Sequence, residues 1–390
     1  MKKKIAFVVQ RYGLEVNGGS EYSCRLIAEK LSSDYDVEVI TTKAVDYVTW
    51  ENHYTDDIEV INGVKVRRFN TVHPRIPSEF EKCSREVFGN SRRNIYDELK
   101  WMKAQGPVSF ALIDYLKENN QEYHKIIFFT YLYFTTFFGI QQIPEKSILV
   151  PTAHDEPCIY FSMFKPFFHL PRYIIFLTEE EKDFVHQTFN NEYIPFKVAG
   201  LGIDVPDSYL SEEQFRAKFG ITKPFIIYVG RIDESKGCKE LFEYYRKYKQ
   251  EEDDYPQLVL MGKNVMEIPN DPDIISLGFV SEEEKFGGIL ASEMLIMPSK
   301  YESLSMVVLE SLYLERPVLV NGECEVLVGH CNRSNGGLYY TDYEEFKLCL
   351  SLLRKRRDLR LNMGMNGKKY VLENYNWSKI INDFKEAIEA

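Results

Sequence analysis

The sequence has no Cys-x-x-Cys pair, and its seven cysteines lie scattered along the chain. That excludes the disulfide framework of a small secreted domain and fits free thiols in a reducing compartment. Cys324, His330 and Cys331 come close together, but three ligand-type residues without a second cluster make a poor zinc site. Long apolar runs are also missing. The most apolar segment, IIFFTYLYFTTFFGI (126–140), holds three threonines and falls short of the roughly 20 residues that span a bilayer. It reads as a buried strand running into a helix. Basic charge is not in excess, since 48 Lys and Arg stand against 59 Asp and Glu for a net charge of −11. This balance argues against nucleic acid as the main partner, although a local basic patch could survive it; the basic run LRKRRDLR (353–360) reads as the solvated face of a helix. The start, MKKKIAFVVQRYG, has the basic residues of a signal peptide, but its short apolar run leads into a polar turn and reads as a first strand. The expected location is cytoplasmic, with peripheral association at the inner face of a membrane allowed. No G-x-G-x-x-G fingerprint is present, which removes the main support for a nicotinamide enzyme, and no DxD-like acidic pair stands in a suitable loop.

What is there begins with length. A chain of 390 residues exceeds what one core usually fills, so two domains are expected. KKIAFVVQ, DVEVITT and, after the turn at Asn62-Gly63, VKVRRF read as strands, with SEYSCRLIAEKLSS at helical spacing after the first. Strand, helix, strand in this rhythm means right-handed crossovers and a parallel sheet. A polar, helical stretch of mixed charge occupies 71–120. KIIFFTYLY, SILVPTAH and YIIFLT follow as near-continuous apolar runs, the pattern of parallel strands covered on both faces. The rhythm restarts after FKVAGLGIDVP with PFIIYVGRID, PQLVLMGK, IISLGFV, MLIMPS and PVLVNG. Pro206 and the polar DSYLSEEQ mark a linker within 205–222. The fold class is α/β, two doubly wound Rossmann-like domains in tandem.

Ligands of open parallel sheets bind beyond the carboxyl ends of the strands, and the informative loops all fall there. QRYGLEVNGGSEYS places Gly18 and Gly19 ahead of a helix whose first turn carries Glu21, an arrangement that suits an anion. VPTAHDEP puts His154, Asp155 and Glu156 just past a strand. YVGRIDESKGCKEL carries Arg231 just beyond a strand and Lys236 before a helix, two fixed cations suited to a diphosphate. In MPSKYESLSMVVLESLYLERPVLVNG, Glu302 falls in a loop and Glu310 inside the next helix. Ser303 or Ser305 is expected to cap that helix, which should run to Arg316-Pro317. A buried carboxylate needs a partner or a task, and these two should differ in theirs. The backbone N–H groups of Ser303, Leu304 and Ser305 form an anion site between them.

The motifs NGGSE, AHDEP, GRIDESKG, SLGFVSEEE and PSKYESLSMVVLES…PVLVNG, in this order, resemble those of the retaining GT-B glycosyltransferases, family 4 (glycosyl transferases group 1), over nearly the whole chain. The last resembles the E-x7-E signature, with Glu302 and Glu310 as its glutamates. The resemblance implies a GT-B fold: a 1–205 domain on the acceptor side, completed by a crossover helix within 373–390, and a 206–372 donor-nucleotide domain, facing a deep cleft. It implies transfer of a hexose-type sugar, with retention, from a nucleoside-diphosphate sugar (UDP-sugar favoured, GDP-sugar as alternative) to a hydroxyl of a glycan or lipid-linked acceptor, in surface polysaccharide synthesis, with no metal and no cofactor. Glu310 would hold the ribose hydroxyls and Glu302 the sugar hydroxyls near the anomeric carbon. Arg231, Lys236 and the amides of Ser303 to Ser305 would grip the diphosphate, and the backbone of Phe279 and Val280 would pair with the base. His154 would contact the sugar, and Gly18 and Gly19 would admit the phosphates. Ser303 and Ser305 depart from the family's glycines at these positions. The rival readings are a sugar-nucleotide epimerase of the same architecture and an inactive sugar-nucleotide-binding protein.

Overall fold

The computed structural model describes residues 2–16 and 18–390. They divide into two compact units, one running to Gly200 and completed by Ser378–Ala390, the other spanning Leu201–Trp377. The chain therefore passes from one unit to the other twice. Asn17, the first residue of the NGGSE motif, lies outside the described residues.

The first unit is built on eight strands: β1 (Lys4–Val8), β2 (Asp36–Thr42), β3 (Ile58–Ile61), β4 (Val64–Phe69), β5 (Lys125–Phe129), β6 (Ser147–Val150), β7 (Tyr173–Phe176) and β8 (Phe196–Val198). Their order is β3-β4-β2-β1-β5-β6-β7-β8. All pairings are parallel except that of β3 with β4. The exception lies in the turn: Asn62 and Gly63 both take positive φ, 48° and 82°, the geometry of a two-residue hairpin. IEVI is thus a strand that the pattern of residues before the turn did not disclose. Every residue of β5 and β6 is buried, as parallel strands covered on both faces require. The apolar segment after β5 continues, as expected, into the helix Phe134–Gln142. Phe134, Phe137, Phe164 and Phe167 pack over Val8, Ile126, Phe128 and Leu149 in one core.

The last helix, Trp377–Glu389, belongs from Ser378 on to this first unit. Ser378 is the second residue of that helix. Ile380, Phe384, Ala387 and Ile388 are buried on one face. Polar contacts fix its C-terminal part: Tyr35 donates to Glu389 at 3.1 Å, Lys197 reaches Glu386 at 2.6 Å, and Lys385 reaches Asp34 at 2.8 Å.

The second unit holds β9 (Phe225–Val229), β10 (Gln257–Met261), β11 (Ile274–Ser276), β12 (Leu295–Met297), β13 (Val318–Asn321) and β14 (Gly337–Tyr340) in the order β11-β10-β9-β12-β13-β14. All these pairings are parallel. Part of the expected linker is ordered: Glu212–Phe219 is a helix, started by a capping box between Ser211 and Gln214. The polar SEEQ is a cap rather than a spacer. The helix Arg357–Asn374 precedes the final helix of the chain. The basic run is met by acids, Arg354 by Asp254 and Glu293, Arg360 by Glu293 and Arg356 by Asp358. Among the described residues no helix is long and apolar enough to cross a membrane.

In each sheet the chain starts in the middle, builds one side and then returns to build the other. The order reverses between β1 and β5 in the first unit and between β9 and β12 in the second. Loops leaving the carboxyl ends of such strand pairs diverge and leave a crevice.

Candidate functional site

The reversal in the second unit brings two loops of the sequence analysis together. β9 ends at Val229 and Arg231 follows. Asp233 caps the single turn Glu234–Lys236, accepting the Lys236 N–H at 2.9 Å and the Ser235 hydroxyl at 2.7 Å, and it also binds the Arg231 guanidinium. Burial works against the charge of Asp233, yet these partners pull it below the usual carboxylate range. Gly237 takes the left-handed conformation at φ 76°, and a Cβ there would lie 2.3 Å from the Pro298 carbonyl at the end of β12. Only glycine permits that approach. The consequence is a contact between the two loops, with Lys236 Nζ 2.7 Å from Glu302 Oε1.

The loop after β12 is itself held. Ser305 precedes the helix Met306–Tyr313 in the left-handed region at φ 62°, and its side chain makes no capping bond. The expected cap at this residue is therefore absent, because αL geometry turns the hydroxyl away from the first-turn amides. This conformation costs a serine about 1 kcal/mol that glycine would not incur. The helix also stops at Tyr313, short of Arg316. His330, fully buried, hydrogen-bonds the Leu304 carbonyl through Nε2 at 2.8 Å and the Tyr370 hydroxyl through Nδ1 at 3.1 Å. Burial lowers its pKa to about 4. The neutral ring must carry its proton on Nε2, since a carbonyl can only accept. Glu310 is buried at one helical turn beyond Ser305. Its Oε1 lies 2.8 Å from Lys285 Nζ.

Phe279 is 72% exposed, and the residue before it, Gly278, takes φ 70° with its carbonyl accepting from Gly262 at 2.8 Å. In the first unit Gly18 is extended and Gly19 opens the helix Gly19–Leu31. A Cβ at Gly18 would strike the Glu21 carboxylate, whereas Gly19 has open space around it. Glu21 is not free for a ligand; it is buried against Arg11, at 2.6 Å from Nη2 and 2.9 Å from Nε. His154 Nδ1 lies 3.4 Å from Glu156, which also accepts from Tyr131 at 2.7 Å.

The loop carrying His154 hangs on a residue outside every motif. Glu181 accepts the N–H of Ala153 and that of Leu177, each at 2.6 Å. Burial pushes its carboxyl up to about 8, against the pull of those N–H groups. The folded chain then keeps a proton that the unfolded chain releases above its ordinary pKa of 4.5. Stability should therefore fall as pH rises through that interval and level off above 8. In Glu181→Gln this slope should flatten, as read from urea midpoints at pH 5, 6.5 and 8. Parallel profiles for the two proteins would show that Glu181 is ionised when folded.

Lys285, His330 and Asp233 are the site-forming residues that the sequence motifs did not mark. Asp233 had a signal, an acid two residues after the first cation and three before the second. By residue type His330 suggests only a weak metal ligand, and nothing local points from Lys285 to Glu310. One acidic pair, Asp271 and Asp273, is engaged by Lys249 and Lys223 at the amino end of β11, the opposite end from the loops above.

Residues 211–370 match the model of the family Glycosyl transferases group 1. The chain is 25% identical to an uncharacterized glycosyltransferase of Methanocaldococcus jannaschii over 232 residues, spanning 56% of this chain and 58% of that relative. A second uncharacterized glycosyltransferase of the same organism is 23% identical and covered, like this chain, to 99%. Sucrose-phosphate synthase of Thermosynechococcus elongatus superposes with a TM-score of 0.72 at 15% identity, covering 100% of this chain and 98% of that one. Anabaena HepE in complex with UDP and glucose gives 0.70 at 13%, with 99% of both covered. The fold is thus of the GT-B type, with two Rossmann-like units, and residues 211–370 form a glycosyltransferase group 1 domain, a transferase.

Proposed function

We propose that the protein moves a hexose-type sugar from a nucleoside-diphosphate sugar to a hydroxyl of a glycan or lipid-linked acceptor, with retention and without a metal. The observation that carries this reading is the 2.7 Å pairing of Lys236 with Glu302 across the β9/β12 reversal, with Arg231 on the same loop. The family match over 211–370 supports it, and UDP in the Anabaena relative makes UDP-sugar the favoured donor, GDP-sugar the alternative. In this reading Arg231, Lys236 and the amides of Ser303 to Ser305 take the diphosphate. Glu302 takes the sugar hydroxyls, Glu310 the ribose hydroxyls, and the backbone at Phe279 and Val280 the base. The bond from the anomeric carbon to the diphosphate breaks as the acceptor oxygen bonds on the same face. The acceptor proton passes to the departing diphosphate, whose charge the cations stabilise where it develops.

The two glutamates test the assignment because they should fail differently. Glu310→Ala should raise the donor KM with kcat little changed, since ribose contact is mostly uniform binding, whereas Glu302→Gln should mainly lower kcat. Steady-state kinetics with UDP- and GDP-sugars and release of nucleoside diphosphate read both. Normal kinetics in either variant would withdraw that residue's role. Donor turnover without product on any acceptor or water would favour an epimerase.

A further inference from the structure

Glu310 is satisfied on one side only. Its side chain is 6% exposed, and Oε1 meets Lys285 Nζ at 2.8 Å. Oε2 is buried and accepts no hydrogen bond among the described residues. A buried acceptor left in that state costs about 1–3 kcal/mol, so the arrangement calls for a donor from outside the chain. Lys285 belongs to the helix Glu282–Ala291 and is itself only 16% exposed. It also reaches Glu282 at 2.7 Å, and its ammonium lies 5.2 Å from the Phe286 ring centre. The ammonium is thus held between two carboxylates and an aromatic face, which fixes its position better than a free lysine would be fixed.

We propose that Lys285 is a positioning residue for nucleotide recognition, its ammonium pinning Oε1 of Glu310 so that Oε2 is left to accept from the ribose hydroxyls of a nucleoside diphosphate. The inference rests on the assignment of Glu310 above and adds the residue that makes it work. A ribose diol brings two O–H donors, and it is best met by a carboxylate that is charged and cannot rotate. Burial lifts Glu310 above the usual carboxylate range while the charge of Lys285 opposes this. Burial likewise works against Lys285, but Glu310 and Glu282 keep it above the ordinary lysine value. Without Lys285 the carboxyl would be driven towards its neutral form and would present an O–H where the ribose needs an acceptor. The lysine never touches the sugar in this scheme. It acts through Glu310.

The readout is discrimination between ribose and a sugar without the diol. Calorimetric Kd values for UDP and 2′,3′-dideoxy-UDP, with the GDP pair in parallel, should differ by about 10-fold or more in the wild-type chain, the size of a hydrogen bond to a charged acceptor. Lys285→Met should cut that ratio to below about 3-fold, and Lys285→Arg should restore most of it. In the double variant Lys285→Met/Glu310→Gln, which removes the buried unpaired charge and guards against misfolding, the ratio should equal that of Glu310→Gln alone. A wild-type ratio in Lys285→Met, beside a lost ratio in Glu310→Gln, would reduce Lys285 to a structural pair and overturn the proposal. A wild-type ratio in Glu310→Gln, or failure of both nucleotides to bind the wild-type chain, would instead overturn the assignment of Glu310 on which it rests.

Discussion

Lys236→Ala is expected to lower the rate of transfer by about 10²-fold or more, the loss typical of a preorganised electrostatic donor, with little change in stability. The asymmetry follows from how the residue is held. Its backbone N–H is bound by Asp233 at 2.9 Å, and the turn it closes is locked by Gly237 against Pro298. None of this needs the side chain, which is partly solvated. The ammonium contributes in place, beside Arg231, as fixed positive charge for a leaving diphosphate. Its removal also strips Glu302 of the cation 2.7 Å away, so the sugar contact should loosen with the phosphate contact. Because these two cations stand in for a metal in the proposed reaction, the wild-type rate should persist in EDTA. Initial rates of nucleoside diphosphate release, with and without EDTA, read both effects. A requirement for Mg²⁺ or Mn²⁺, or full activity in Lys236→Ala, would sink the assignment.

The second large effect belongs to stability. Phe384→Ala is expected to destabilise the first unit by about 3–5 kcal/mol, and removal of residues 378–390 should abolish its cooperative unfolding. Phe384 is fully buried with Ile380, Ala387 and Ile388 on one helix face, and loss of the segment also leaves Lys197, Asp34 and Tyr35 without Glu386, Lys385 and Glu389. Cutting at 378 spares the second unit. Trp377 stays, and its ring fills the space at Gly202, where a Cβ would come within 2.5 Å, while Nε1 donates to Asp204 at 2.6 Å. The truncated chain should therefore lose one calorimetric transition and keep UDP binding. Two unchanged transitions would show that the helix is dispensable to the first unit.

Much of this is legible in the sequence. Period-two and continuous apolar runs located strands such as KIIFF and FIIYV, because a parallel strand covered on both faces must be apolar throughout. The Asn62-Gly63 turn was visible, although its partner strand IEVI was not, since that edge strand is half exposed and carries two polar-facing positions. Caps were read unevenly. Ser305 looked like a cap by type, and only its left-handed backbone removed that role.

What the sequence determined by itself is therefore what repeats locally or is set by residue type: the alternating α/β rhythm, the strand-end position of each loop, and the presence of Arg231, Lys236, Glu302 and Glu310 in them. What only the tertiary structure decided is which charge meets which. Lys236 and Glu302 are 66 residues apart and Lys285 and Glu310 are 25 apart, and no helical or strand period connects either pair. A carboxylate in an apolar run announces that it needs a partner, since burying its charge alone is costly. The identity of that partner depends on which strands the sheet order makes neighbours, and sheet order is a property of the packed core.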